Sequence, residues 1–323
     1  METEPAPDPL SAPPVPTPST EALNEPAAAR RSRAVAGAVV MGVVGPLLGG
    51  LLVVIQVIVV RWNAADRAAM LDVFAQPGAM LLSLVLSAVG ALLIVAAPRG
   101  FRWRNMVERY AIRWPALSPL SYVLMTAGSL LVVLGAGSLG SALVRLHVLP
   151  DVPMSGDMLN MLRAMERAPW PLFFAIGLAH ALGPGITEEL MFRGHVQRGL
   201  RASLSPFTAI AIASAMFALW HGHPVRIVLA FGGGCWLGWI AWRCNATGPG
   251  MVVHALTNFL YFTGSTLYRR LRHLPLPTHG RWSLTTSVLI LAGCVLGIII
   301  VTRWLSRLLP PAPDRGNEAA IAG

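Results

Sequence analysis

Lysine is absent: the 25 basic side chains of this 323-residue chain are all arginine, set against 15 acidic ones. Charge of either sign is scarce, at 12% of residues, while 54% are hydrophobic, a balance that excludes an ordinary soluble domain and points to a membrane protein. Cysteine is rare too. Cys235, Cys244 and Cys294 have no CxxC spacing, so neither a disulfide framework nor a zinc knuckle is expected. The arginines sit at the ends of apolar runs without interleaved aromatics, so the net charge of +10 reads as membrane anchoring and not as a nucleic-acid surface. Also missing are an HExxH zinc helix, a GxSG serine motif within a span and a GxGD aspartate motif. No internal repeat is visible, which weakens an inverted-repeat transporter reading.

What is present is a series of apolar segments. Residues 1–33 are rich in Pro, Ala, Ser, Thr and Glu and end in Arg30, Arg31 and Arg33, the composition of a disordered cytoplasmic tail. Eight segments follow, near 35–60, 78–97, 117–144, 170–200, 206–222, 225–243, 249–268 and 283–304, each close to the ~20 helical residues that cross a hydrocarbon core. Lipid supplies no partners for backbone N–H and C=O groups, and alternating strands are not seen, so the expected fold is an all-α polytopic transmembrane bundle. Its expected parts are the tail at 1–33, N-terminal spans and loops at 34–168, a core at 169–268, a last span within 269–308 and a short tail at 309–323. The amphipathic piece "DMLNMLRAMERAPW", 157–170, is expected on the outer surface. Arginines in the loop after the second span, with Arg198, Arg201, Arg243, Arg303 and Arg307, favour both termini in the cytoplasm. The Ala, Gly, Pro and Arg bias, of the kind a GC-rich bacterial genome imposes, makes the inner cell membrane the expected location.

Ionisable residues inside such spans are costly and mark functional sites or internal pairs. Three stretches carry them. "GPGITEELMFRG", 183–194, holds Glu188, Glu189 and Arg193, and Pro184 between two glycines is expected to break or kink the helix just before the carboxylates. Glu189 and Arg193, one turn apart, can pair on one face, while Glu188 is rotated about 100° from Glu189 and can face a cavity. "FALWH" places His221 one turn from Phe217, and "HALTN" places Asn258 one turn from His254. Each stretch alone fits a buried ion pair, a packing histidine or an interhelical amide equally well.

Their depths relate them. At 1.5 Å per residue, Glu188 lies roughly 18 Å from an inner end near 200, His221 roughly 22 Å above a start at 206, and His254 and Asn258 roughly 7 to 14 Å above a start at 249. Three spans therefore bring a carboxylate, two imidazoles and an amide to overlapping depths. Gly232, Gly233, Gly234 and Gly238 allow the sixth span to pack closely beside them, or serve as ordinary small-residue packing.

In order and separation, "EELMFR" at 188–193, "FALWH" at 217–221 and "HALTN" at 254–258 resemble the EExxxR, FxxxH and HxxxN signature of the CPBP family of intramembrane proteases, which includes the type II CAAX prenyl endopeptidase and bacterial relatives. The resemblance covers about residues 170–265. It implies an eight-span protease whose site opens towards the cytosol and whose substrate is a membrane-associated protein or peptide. It further implies Glu188 as the base that activates water, His221 assisting, His254 and Asn258 stabilising the oxyanion, and Glu189 with Arg193 as support. A carboxylate facing imidazole and amide donors across a sheltered cavity is compatible with that chemistry. No cofactor is expected. The alternative is a zinc ion on Glu188, His221 and His254 with a water as fourth ligand. Other function classes left open are a transporter or proton relay through Glu188, His221 and His254, and a non-catalytic scaffold or immunity protein.

Overall fold

The computed structural model describes residue 32 and residues 35–37, 75–96, 103–276 and 283–309. The expected tails at 1–33 and 309–323 and most of the first expected span lie outside these. The described elements are helices, with no strand among the described residues. In chain order they are α1 (Pro77–Ala96), α2 (Trp103–Arg109), α3 (Pro119–Arg145), α4 (Gly156–Arg167), α5 (Trp170–Glu188), α6 (Pro206–Trp220), α7 (Pro224–Cys244), α8 (Gly248–Asn258), α9 (Gly264–Leu271) and α10 (Leu284–Leu308). A π-helical stretch, Glu189–Gln197, and a last turn, Arg198–Arg201, extend α5, and a second π-helical stretch, Phe259–Thr263, joins α8 to α9.

Local sequence accounts for the helix ends. Ser118 and Ser205 each precede a proline at the first helical position and accept a hydrogen bond from a backbone N–H of the first turn, Ser121 at 3.3 Å and Thr208 at 3.2 Å. Ser283 caps α10 through Thr286 N–H at 3.1 Å. A hydroxyl acceptor before a residue that needs no N–H partner is a strong helix start. At the other end of α7, Asn245 stops the helix in the left-handed region, φ 45°, which asparagine tolerates better than most side chains.

Among the described residues, five helices are long and apolar enough to cross a membrane: Pro77–Ala96, Pro119–Arg145, Trp170–Arg201, Pro224–Cys244 and Leu284–Leu308. The expected span at 206–222 is the 15-residue α6, roughly 22 Å at 1.5 Å per residue and shorter than the ~30 Å hydrocarbon core. The span expected at 249–268 is instead three consecutive pieces, α8, the π stretch and α9. These lengths place the chain in a membrane as a helical bundle. Helix α3 packs against α10 and α7, α6 against α7, and α5 against α1 and α8. Gly128 on α3 lets the Trp236 ring of α7 lie against its backbone, and the indole N–H donates to Met125 O at 3.0 Å.

Pro184 does not break its helix. The α geometry runs from Trp170 through Pro184 to Glu188. The glycines flanking it work by contact instead: a methyl on Gly183 would meet Ala88 Cβ at 3.2 Å, and one on Gly185 would meet the Ala255 backbone N at 3.0 Å. They let α1 and α8 close on α5 from two sides, and the helix runs on without interruption through the proline. The amphipathic α4 lies across the end of the bundle where α5 and α7 begin. It buries Met161, Leu162, Ala164 and Met165 in a cluster with Phe173 and Ile176 of α5. Asp157 at its start pairs with Arg226 of α7 at 3.4 Å.

Candidate active site

The site is built where α5, α6 and α8 end, beside the middle of α7. Glu188 is the last α-helical residue of its element and Asn258 the last of α8, and each helix then widens into π geometry. Stretches of π-helix inside α-helices recur at functional sites because the wider turn re-aims the side chains around it.

Adjacent in sequence, the two carboxylates occupy different surroundings. Glu189 is 0% exposed, and its Oε1 accepts from Arg193 Nη1 at 2.8 Å and lies 3.0 Å from His254 Nδ1. Glu188 keeps 19% of its side chain exposed, with Oε2 3.8 Å from His254 Nε2. His254 therefore stands between both carboxylates, engaged by the buried one and facing the accessible one. Bound to Glu189 through Nδ1–H, the ring directs Nε2 at Glu188, so a proton on Nε2 serves Glu188 or a group placed beside it.

Arg193 is closed in on every side. Its Nη2 donates to Gly234 O on α7 at 3.1 Å, and its guanidinium lies 4.7 Å from the Phe217 ring centroid. A buried guanidinium needs such a full set, because an uncompensated one costs several kcal/mol. One turn further along, the buried amide of Gln197 repeats the link by donating to Gly238 O at 2.9 Å. Glycines 234 and 238 make this possible. A methyl on Gly234 would meet Ser214 Cβ at 2.9 Å, and one on Gly238 would meet Gln197 Oε1 at 2.7 Å. Gly232 approaches Val132 of α3 instead, at 3.3 Å for an added methyl.

Phe217 joins the three motifs. Its ring lies 4.9 Å from His221, 6.2 Å from His254 and 5.2 Å from Phe192, centroid to centroid. His221 ends α6, its backbone N–H donating to Ala218 O, and its Nδ1 is 3.0 Å from Phe217 O, an arrangement in which Nδ1–H donates to the carbonyl and Nε2 is left for another partner. It lies within electrostatic reach of Glu188 and His254. Asn258 is half-buried one turn beyond His254. Glu188, Glu189, Arg193, His221 and His254 thus gather in one place, with Asn258 at its edge.

Sequence reasoning missed His180. It lies on α5 two turns before Glu188, its ring 4.7 Å from Phe262 and within electrostatic reach of His254, Arg226 and Asp157. The signal was available, since it is another ionisable residue inside an apolar span. Gln197 and the Gly234 carbonyl were missed as well, and neither has a residue-type signature.

Residues 169–260 match the family model described as type II CAAX prenyl endopeptidase Rce1-like. That stretch is Rce1-like. It contains the three motifs and every residue of the site, from His180 to Asn258. The rest of the chain lies outside the match. A curated relative, the "Probable multidrug resistance protein NorM" of Mesorhizobium japonicum, is 30% identical over 151 residues, covering 43% of this chain and 29% of that protein. The chain thus spans under a third of the length of that relative. No solved structure matches the chain.

A glutamate and two histidines are a possible zinc set. Glu188, His221 and His254 carry suitable donors, yet among the described residues no three His, Cys, Asp or Glu side chains are grouped to hold a metal ion. Both Nδ1 atoms are engaged, by Phe217 O and by Glu189. Engagement of Nδ1 by a carbonyl or carboxylate leaves each Nε2 able to ligate, so the absence of a three-residue group is the one observation here against a zinc centre.

Proposed function

We propose that this protein is an intramembrane endopeptidase that hydrolyses a peptide bond of a membrane-associated protein or peptide, with Glu188 activating the water. The observation that carries the reading is the His254 imidazole held at Nδ1 by buried Glu189, 3.0 Å away, and facing accessible Glu188 at Nε2, 3.8 Å away. Support comes from the Rce1-like match over the same residues.

In this mechanism Glu188 takes a proton from a water as its oxygen attacks the scissile carbonyl. His221, with Nε2 free, assists in orienting that water. The carbonyl oxygen becomes an oxyanion that accepts from His254 Nε2–H and the Asn258 amide, donors fixed before the charge develops. Glu188 then returns its proton to the leaving amine as the carbon–nitrogen bond breaks. Glu189 and Arg193 touch no reacting atom; they fix the His254 ring and neutralise each other inside the bundle. The reaction requires no metal, and both termini lie in the cytoplasm by the arginine distribution.

The test compares membrane-peptide fragments from cells carrying the wild-type protein with those carrying Glu188→Ala. Fragments that disappear in the variant, while the protein still accumulates in the membrane, support proteolysis. Identical fragment sets overturn it. Stoichiometric zinc in the purified protein, whose removal abolishes cleavage, overturns the metal-free mechanism. A second reading, transport with Glu188, His221 and His254 relaying protons, is favoured by the partial match to the multidrug resistance protein. Loss of ion-coupled uptake in vesicles on substituting these three residues is the result that supports it.

A further inference from the structure

Among the ionisable and amide side chains of the site, those nearer α4 are the more accessible, while the hydroxyls of Thr187, Thr263 and Thr266 in the same direction are buried. On α5 and its extension, Arg193 and Glu189 are buried, while Glu188 and His180 are partly open. On α6, buried Phe217 gives way to half-open His221, and on α8 buried His254 gives way to half-open Asn258. Towards Arg198 the site is plugged by Leu190, Phe192, Val196 and Tyr110, each no more than 2% exposed.

The polar side chains continue in the accessible direction. His180 lies beyond Glu188, and Arg226, at the start of α7 and a third exposed, lies beyond His180 and pairs with Asp157 of α4. The loop before α4 is fastened to the same corner, with His223 Nε2 3.1 Å from Pro153 O. A run of imidazole and guanidinium groups is too costly to place against lipid, so it marks a water-lined passage.

We propose that water and peptide reach Glu188 from the α4 end of the bundle, through an entrance lined by His180 and Arg226 and overhung by α4. The proteolytic reading decides what passes through this entrance, not where it lies. With the termini cytoplasmic, the α4 end faces away from the cytosol. If the entrance faces the cytosol, as the family resemblance implies, the chain is inserted the other way round.

The experiment places single cysteines at positions 180, 182 and 197 in a protein whose Cys235, Cys244 and Cys294 are alanine. A charged, membrane-impermeant methanethiosulfonate is then applied to sealed vesicles of either orientation. Because the reagent attacks a thiolate and is excluded from hydrocarbon, His180→Cys is expected to react about 100-fold faster than Leu182→Cys, which faces lipid, and Gln197→Cys at the plugged end. The orientation that reacts identifies the side of the membrane. Equal slow rates at 180 and 182, or faster reaction at 197 than at 180, overturn the proposal. Arg226→Cys, nearer the opening, reports on the same entrance should the position 180 variant fail to give a monodisperse protein. These rates are read without cleavage, so a protein with no detectable proteolysis leaves the position of the entrance measured all the same.

Discussion

Two halves of one polar cluster, divided at the bond between Glu188 and Glu189, differ in what surrounds their charges. In the Glu189 half the charges are paired, by a guanidinium at 2.8 Å and an imidazole at 3.0 Å on Oε1 and by the Gly234 carbonyl and Phe217 ring around Arg193, while the buried Oε2 has no hydrogen-bond partner. In the Glu188 half the side chains keep part of their surface and some of their hydrogen-bonding capacity, His221 Nε2 among them. In the proposed mechanism, stability belongs to the first half and chemistry to the second. His254 belongs to both, and through it the rigidity of one half aligns the other.

The strongest way to break this comparison is to remove a group from each half. Glu188→Gln should lower cleavage by roughly 10²- to 10⁴-fold, the range of a positioned acid–base group, with little change in melting temperature. If it melts early instead, Glu188 is structural. Arg193→Ala should do the reverse in kind, costing about 3 to 5 kcal/mol by stranding the Glu189 carboxylate in the interior, read as early melting and low accumulation in the membrane. A stable, inactive Arg193→Ala protein would move Arg193 into the chemistry.

Smaller changes sharpen the boundary. Gly185→Ala drives a methyl to 3.0 Å from the Ala255 backbone, next to His254, and should cost about 1 to 3 kcal/mol of stability. Gly264→Ala, exposed on α9 with nothing within 4 Å of the added methyl, should leave the stability unchanged or raise it by up to about 1 kcal/mol of helix propensity. Parallel thermal melts of the two variants check this contrast.

The smallest effect concerns α4. Burial alone pushes the Asp157 carboxyl up, but the Ser155 hydroxyl, the Arg226 guanidinium and the backbone N–H groups of Met158 and Asp157 outweigh it and hold the carboxyl below its ordinary range. A depressed folded-state value stabilises the docked α4 above the unfolded carboxyl's pKa, near 4, and that contribution is lost as pH falls through the lower folded value. Because Asp157 is 73% exposed, the change should be slight. Hydrogen-exchange protection across Gly156–Arg167, taken relative to the intrinsic rate at each pH, should fall modestly between about pH 5 and pH 3, and Asp157→Asn should remove that dependence.

Much of the fold was legible because its causes are local. The apolar segments expected from 117 and 206 begin where α3 and α6 do, and there Ser118–Pro119 and Ser205–Pro206 start the helices through a hydroxyl and a missing N–H. The Glu189–Arg193 pair followed from one-turn spacing. Pro184 was misread because proline's local cost says nothing about neighbours: Ala88 and Ala255 pack on the adjacent glycines, and α5 runs on without interruption. Neither π stretch has a residue signature, and His180 gains its meaning only from Arg226, 46 positions away, and from α4 above it.

By itself the sequence determined a membrane-embedded helical chain, the positions of most helix ends, and three polar motifs that must share a depth. Hydropathy, capping and 3.6-residue spacing act over a few residues, so they can be read without the fold. Tertiary structure alone decided that Glu189 is sealed and Glu188 open, that one imidazole lies between them, and that the polar run leads to α4. Those outcomes depend on how far each helix is rotated and shifted along its neighbours, which is fixed where Gly185, Gly234 and Gly238 let distant helices touch.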